Sequence, residues 1–234
     1  MLLKRTLFSL LVLTLFVIPA FSQRTITSLS LQIGLPQDEY QDTYNATGIG
    51  FRWNVMHRPK DSPLSVGGEL GFLINGRDAR TFDIFYLGFY DRYRITATNN
   101  ILSIGFKVRA DLVSNESPMQ IFVDATVGTN LFFSSVDVAR ETYYGQNETT
   151  AGRSSKGHWA FVWGPGLGVE IPFKSKETAL VVKGSYLFGS RAKYLTDPYI
   201  DNDAEVYFTE RESETTMLVM ELGLRFGVFN KNRR

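Results

Sequence analysis

The chain has 234 residues, 25 Lys+Arg against 24 Asp+Glu and no cysteine. That balance argues against a nucleic-acid binder or a polybasic membrane anchor, and the missing thiol excludes disulfide frameworks, thiolate metal sites, Cys nucleophiles and a lipid-anchored lipoprotein. Lys4 and Arg5 precede an apolar run from Leu7 to Ile18, and Ala20 and Ser22 supply small residues after it. The run is shorter than the ~20 residues a membrane-spanning helix needs, so residues 1–22 are expected to be a secretory signal cut after Ser22. Without Lys4 and Arg5 the basic count falls from 25 to 23, against 24 acids. Residues 23–234 contain no Pro/Ser linker, low-complexity tract or long charge run, and one domain is expected.

Taken in chain order, every second residue is apolar through eight segments. Residues 28–35 set Leu29, Leu31, Ile33 and Leu35 against Ser28, Ser30, Gln32 and Gly34. Residues 48–57 alternate Ile49, Phe51, Trp53 and Val55 with Gly48, Gly50, Arg52 and Asn54, and residues 64–75 alternate Leu70, Phe72 and Ile74 with Glu69 and Gly71. The pattern returns near 101–112, 120–133, 158–173, 179–189 and 216–229; in 158–173 it sets Trp159, Phe161, Trp163, Leu167, Val169 and Ile171 against Ala160, Gly164, Gly166, Gly168 and Glu170. A period of two is the strand period, and about ten residues cross a bilayer as a tilted strand. The fold expected is all-β, an eight-stranded antiparallel up-and-down transmembrane β-barrel.

The connections alternate as well. Residues 58–63, 114–119 and 174–178 are short and turn-rich, whereas 36–47, 76–100, 134–157 and 190–215 are longer and mostly polar, to be expected as loops. Short turns on one rim and long loops on the other is the layout of outer-membrane barrels, with the short side periplasmic. A soluble barrel would also alternate, with its apolar set inside. Here that set holds about forty mostly large side chains, whereas a packed eight-stranded interior holds about twelve. Lipid must cover them.

The inward set then carries ten charges: Arg52, Lys107, Arg109, Lys183 and Arg225 against Glu69, Asp111, Asp124, Glu170 and Glu221. An unpaired charge in a closed lumen costs several kcal/mol, so these residues are expected to pair across the barrel and plug it. No cofactor or metal site is expected. Gly164-Pro-Gly-Leu-Gly168 lacks the Lys-Ser/Thr of a phosphate loop, and its glycines are read as relieving crowding inside the barrel or allowing a bend. Asp197, Asp201, Asn202, Asp203 and Glu205 are read as an ordinary solvated loop rather than a calcium site. Trp53, Trp159, Trp163, Phe173, Tyr186 and Phe188 are expected as interface girdles and lipid contacts.

The closing segment Leu218-Val-Met-Glu-Leu-Gly-Leu-Arg-Phe-Gly-Val-Phe229 resembles the aromatic-ended last strand that barrel assembly machinery recognises, and the layout is similar to that of OmpA/OmpX-like eight-stranded barrels. Tyr186-Leu-Phe-Gly-Ser-Arg-Ala-Lys-Tyr-Leu195 resembles the outer-membrane barrels of Bacteroidota-type bacteria. The pattern departs from the proteobacterial signal in that Asn230-Lys-Asn-Arg-Arg234 follows Phe229, and no periplasmic domain is expected beside the barrel. The resemblance implies an integral outer-membrane protein surrounded by lipid and lipopolysaccharide, inserted by the assembly machinery and structural in role.

Two other functions stay open. Residues 76–100 carry Phe82, Phe85, Tyr86, Phe89, Tyr90 and Tyr93 among charges. These aromatics either pack the loops over the barrel mouth or continue the two flanking strands as a protruding sheet that binds a protein partner. A lipid-modifying enzyme would need a base at the outer rim. Of the two histidines, His57 falls on the periplasmic rim, and His158, near Ser154 and Ser155, is the one candidate. The plainer reading of His158 is a rim residue beside Trp159.

Overall fold

The computed structural model describes residues 24–59, 62–86, 89–113, 118–141, 147–154, 157–173, 178–200 and 206–229. The expected signal segment lies outside them. In chain order the elements are β1 (Arg24–Pro36), α1 (Asp38–Thr43), β2 (Gly48–Arg58), β3 (Leu64–Tyr86), β4 (Phe89–Asp111), β5 (Gln120–Glu141), β6 (Asn147–Ser154), β7 (His158–Pro172), β8 (Thr178–Gly189), β9 (Arg191–Ile200), β10 (Val206–Glu214) and β11 (Met217–Phe229). Eight of these are the staves of a closed barrel. β1, β2, β3, β4, β5, β7, β8 and β11 pair antiparallel in that order, and β11 returns to β1 from Arg24↔Phe229 to Pro36↔Met217. Closure leaves no open backbone edge within the ring, the condition for strands to cross lipid.

The outward face is hydrocarbon: Leu31 is 69 % and Ile49 63 % exposed, whereas Glu170 inside is 0 % exposed and Arg225 2 %. A protein with its charges inside and its large apolar residues outside is stable only where the surrounding solvent is lipid. Trp53 departs from the girdle expectation. Its register partners Leu29 and Leu70 are mid-strand, so it sits in the middle of the apolar belt, where its indole N–H donates to Thr27 Oγ1 at 2.9 Å. Trp163 does sit near the outer end of its stave, stacked on Phe188 at 4.6 Å between ring centroids.

The stretches expected to be loops on the outer side are largely strands. β3 and β4 run 23 residues each and pair to Tyr86↔Phe89, about twice what a membrane crossing needs. β5 continues beside β4 to Glu141↔Arg92 and carries β6 on its other edge, so a sheet of β3, β4, β5 and β6 stands above the barrel. β9 and β10 form a separate hairpin that folds across the mouth against β4, β5 and β7. Polar sequence hides these strands because inward apolar residues such as Ile95, Ala97 and Val136 are too few to set a period of two, although the aromatics of 76–100 leave a protruding sheet open as one reading.

A bulge between Ile74 and Arg77 makes this division possible. Gly76 there has φ +89°, and a Cβ on it would run into the Tyr44 hydroxyl and the Ala46 methyl. Only glycine takes that conformation cheaply and leaves room for the β1–β2 connection to pack against β3. Gly76→Ala should therefore loosen this connection by about 1–2 kcal/mol while sparing the staves. Hydrogen exchange should show faster α1 amides and unchanged mid-barrel amides; equal acceleration of both would contradict the local role.

Candidate functional site

The lumen is built in three layers. At mid-height six charges form a closed ring: Arg52 faces Glu69 (3.3 Å), Glu69 faces Lys107 (2.5 Å), Lys107 faces Asp124 (3.8 Å), Asp124 faces Lys183 (3.1 Å), Lys183 faces Glu221 (3.1 Å) and Glu221 returns to Arg52 (3.3 Å). Signs alternate strictly. The six come from β2, β3, β4, β5, β8 and β11, which is also their order around the barrel. The two staves that give no charge supply small or neutral groups at this level. β1 offers Ser30 opposite Arg52 and Gln32 opposite Glu221, and Gln32 donates to the Phe51 carbonyl at 3.0 Å. β7 offers Gly166, where a Cβ would collide with the Asp124 carboxylate and the Ser185 hydroxyl. Gly166 thus makes room for the Asp124 carboxylate, and Gly168 for the Phe122 ring.

Toward the rim of short turns a second chain links Arg58 to Asp111, Asp111 to Arg109 (2.8 Å), Arg109 to Glu170, and Glu170 to Arg225 (3.1 Å). Arg109 also lies 3.7 Å over the Phe122 ring. Arg58 was not among the ten expected charges, because the sequence pattern places it in a turn. It shares the inward parity of Arg52 and Asn54 and ends β2, so extending that parity would have found it. Between the two layers is a cavity of about 20 Å³, lined by Lys183, Glu221, Arg225 and Glu170 among others. That is room for about one water.

Above the ring the filling is apolar. Leu73, Ile101, Phe132, Val162, Leu187, Met217 and Val219 point inward and bury one another beneath Tyr40. Sequence alternation fails at these places: Phe72-Leu73-Ile74, Leu131-Phe132-Phe133 and Phe161-Val162-Trp163 are unbroken apolar runs at the outer third of their staves. Such runs are the legible mark of a stave that is apolar on both faces.

α1 and the β9–β10 hairpin cap this layer. Tyr40 is 1 % exposed, its ring 5.5 Å from Tyr194 and edge-on to Phe132, and its hydroxyl accepts from Asn75 Nδ2. Asn99 ties the parts together by donating to the Tyr44 hydroxyl (2.8 Å) and the Leu195 carbonyl (3.0 Å) while accepting from Ser134 Oγ. Glu39 accepts from Arg191 at 3.2 Å and from the Glu214 backbone N–H at 3.1 Å.

The other candidate residues fall elsewhere. Phe82 is opposite Tyr93, Phe85 opposite Tyr90 and Tyr86 opposite Phe89 on the β3–β4 extension, so the backbone places all six on a projecting hairpin. The mouth is closed instead by α1 and β9–β10. His158 opens β7 opposite Phe132; its Nδ1 is buried without a hydrogen-bond partner, and Ser155 lies outside the described residues. His57 Nδ1 is 3.2 Å from Thr25 Oγ1 at the opposite rim. Of the residues weighed for calcium, Asp201, Asn202, Asp203 and Glu205 lie outside the described residues, as does the side chain of Asp197.

Two measurements test these layers. Glu221→Gln removes the anion shared by Arg52 and Lys183 and should cost about 3–5 kcal/mol in urea unfolding from micelles. Replacing Lys183 and Glu221 together by Met leaves Arg52, Glu69, Lys107 and Asp124 still paired and should cost clearly less; an equal or larger loss would refute the ring as a mutually compensating set. Burial, with help from the Tyr44 and Tyr194 phenols, holds the Tyr40 hydroxyl well above the ordinary tyrosine value of 10.0. A freed Tyr40 ionises first, so closure of the cap is fully favoured below pH ~10 and weakens as pH rises toward the raised value. Proteolysis after Lys193 and Arg211 should accelerate above pH ~10 in wild type and lose that pH dependence in Tyr40→Phe.

No protein-family model and no curated protein sequence matches the chain. Among solved structures, neisserial surface protein A aligns at 12 % identity over 88 % of this chain and 97 % of that one, TM-score 0.45. A major outer membrane protein from Thermus thermophilus aligns at 13 % over 86 % and 99 %, TM-score 0.44, and the outer membrane protease OmpT from Escherichia coli at 10 % over 88 % and 97 %, TM-score 0.38. These likenesses concern shape alone. The closed eight-stave antiparallel ring, its apolar exterior and its charged interior together make this chain an eight-stranded antiparallel transmembrane β-barrel.

Proposed function

We propose that the protein is an integral outer-membrane barrel with a closed lumen whose role is structural, supporting the envelope without catalysis. The carrying observation is the filling of the interior from rim to rim: a charge chain, a balanced six-charge ring and an apolar layer under Tyr40. An ion crossing this interior would have to break ring pairs and then enter hydrocarbon, and each step costs several kcal/mol. Its surroundings are lipid and lipopolysaccharide, and its partner during insertion is the barrel assembly machinery. Purified full-length protein in planar bilayers should show no large, stable single-channel conductance. A variant lacking 191–214 should stay equally closed, since the ring and the Leu73–Phe132 layer remain. Sustained conductance from wild type would overturn the closed-lumen reading.

A second reading, binding of a protein partner at the cell surface, is favoured by the β3–β4 projection. Beyond the bulge, β3 from Arg77 to Tyr86 pairs with β4 on one side only, since the β2–β3 ladder ends at Gly48↔Asn75. An open edge of that length is a template for strand addition. Deleting residues 80–92 should abolish partner capture from native outer membrane and leave the heat resistance of the barrel on gels intact. Loss of heat resistance would assign these residues to stability instead.

A further inference from the structure

The sheet above the barrel has two open sides, and strand addition at β3 uses only one of them. Its strands lie in the order β3, β4, β5, β6. At one end β3 is free from Arg77 to Tyr86; at the other, β6 has β5 as its one ladder neighbour among the described residues. All three ladders are antiparallel, so β3 runs away from the rim of short turns and β6 runs back toward it. A free strand of each direction is what a sheet needs to continue antiparallel into another sheet of the same kind. Two β3 edges standing in one membrane would meet in parallel, and so would two β6 edges. Neither free stretch contains a proline, a residue that commonly blocks an edge.

The levels of the sheet indicate which residues would meet. Across the three ladders Arg77 shares a level with Ser154, Asp78 with Arg153 and Thr81 with Thr149. Carried across a junction between two copies, these levels set Asp78 of one copy opposite Arg153 of the next and Thr81 opposite Thr149. Opposite charges and paired threonines are both favourable cross-strand combinations. The other charged residues of the β3 edge meet neutral ones: Arg77 meets Ser154, Arg80 meets Thr150 and Asp83 meets Asn147. The irregularity of β6 contributes to this match. Its extra residue between Thr150 and Arg153 brings Arg153 to the level of Asp78, where an unbroken register would bring Gly152.

We infer that copies of this chain associate side by side in the outer membrane by joining β3 of one copy to β6 of the next, so that a single sheet runs from copy to copy. The inference rests on the open-edge reading above and names the partner as the chain itself. Because the two joined surfaces differ, the contact does not close on itself in a dimer, and rows or rings follow.

The chain has no cysteine, so introduced thiols report this contact alone. Full-length protein carrying Thr81→Cys and Thr149→Cys, oxidised in native outer membrane and run on non-reducing gels, should give dimers and higher multiples. Each single variant should stay monomeric. Within one copy the two positions are three strand spacings apart, about 14 Å, beyond the ~7 Å that a disulfide spans. Asp78→Lys added to the pair should lower the cross-linked yield about fivefold, and Arg153→Glu added to that should restore it. Arg77→Cys with Ser154→Cys reads the same register at a second place, and unchanged heat-modified mobility shows that the barrel is intact. Dimers from Thr81→Cys alone, monomers from both cysteine pairs, or a yield indifferent to the charge changes would overturn the inference. If both pairs stay monomeric while residues 80–92 are still required to capture another protein, the open-edge reading stands and self-association falls.

Discussion

Everything in this molecule depends on the seam between β1 and β11. In hydrocarbon a backbone N–H or C=O without a partner costs several kcal/mol, and a stave without a neighbour would expose a whole row of them. Thirteen residue pairs, from Arg24↔Phe229 to Pro36↔Met217, close that row. Closure also fixes register, because the side-chain period is two. A slip of one residue would turn Arg52, Lys107 and Glu221 toward lipid and Trp159 and Phe161 into the lumen. The same hydrogen-bond ladder that satisfies the backbone therefore decides which residues become a site and which become a lipid contact.

Once the ring is closed, its narrow interior has to be filled, and two different fillings meet halfway. The charged part is supported by geometry: each ring member comes from its own stave and touches an opposite charge on either side, so no single ion bears the desolvation alone. Above it the demand reverses. The apolar layer under Tyr40 needs no partners, only volume, and it separates the charge ring from the water above the cap. A charge network open to water would lose much of its mutual attraction to screening, so the seal and the ring strengthen each other.

The sequence makes the membrane part plain because lipid imposes one rule on every stave. Alternation, the short turns and the inward charges are all consequences of that rule, and Arg52, Glu69, Lys107 and Lys183 could be read directly as facing inward. Arg58 escaped because a turn residue and the last residue of a strand look alike without the register. The Leu73, Phe132 and Val162 layer escaped for a different reason: a residue that is apolar on the inner face erases alternation rather than changing its phase. Outside the membrane the rule lapses. β9 and β10 have polar residues on both faces and pair through tertiary contact, whereas the upper halves of β3 and β4 continue the staves below, one of the two readings that the aromatics of 76–100 allow.

The two outer structures are supported in different ways, and this separates what each can do. The β3–β4 projection is a continuation of barrel staves, so its backbone ladder runs unbroken except at the bulge, and its stiffness comes from the membrane-embedded part. The cap has no such ladder to the staves. It is held by side chains: the Tyr40 ring in the apolar layer, the Asn99 bonds, and Glu39 with Arg191 and the Glu214 N–H. Side-chain bonds of this kind contribute about 1 kcal/mol each, and those at the exposed edge less. The cap can therefore open locally at a cost well below that of unfolding a stave.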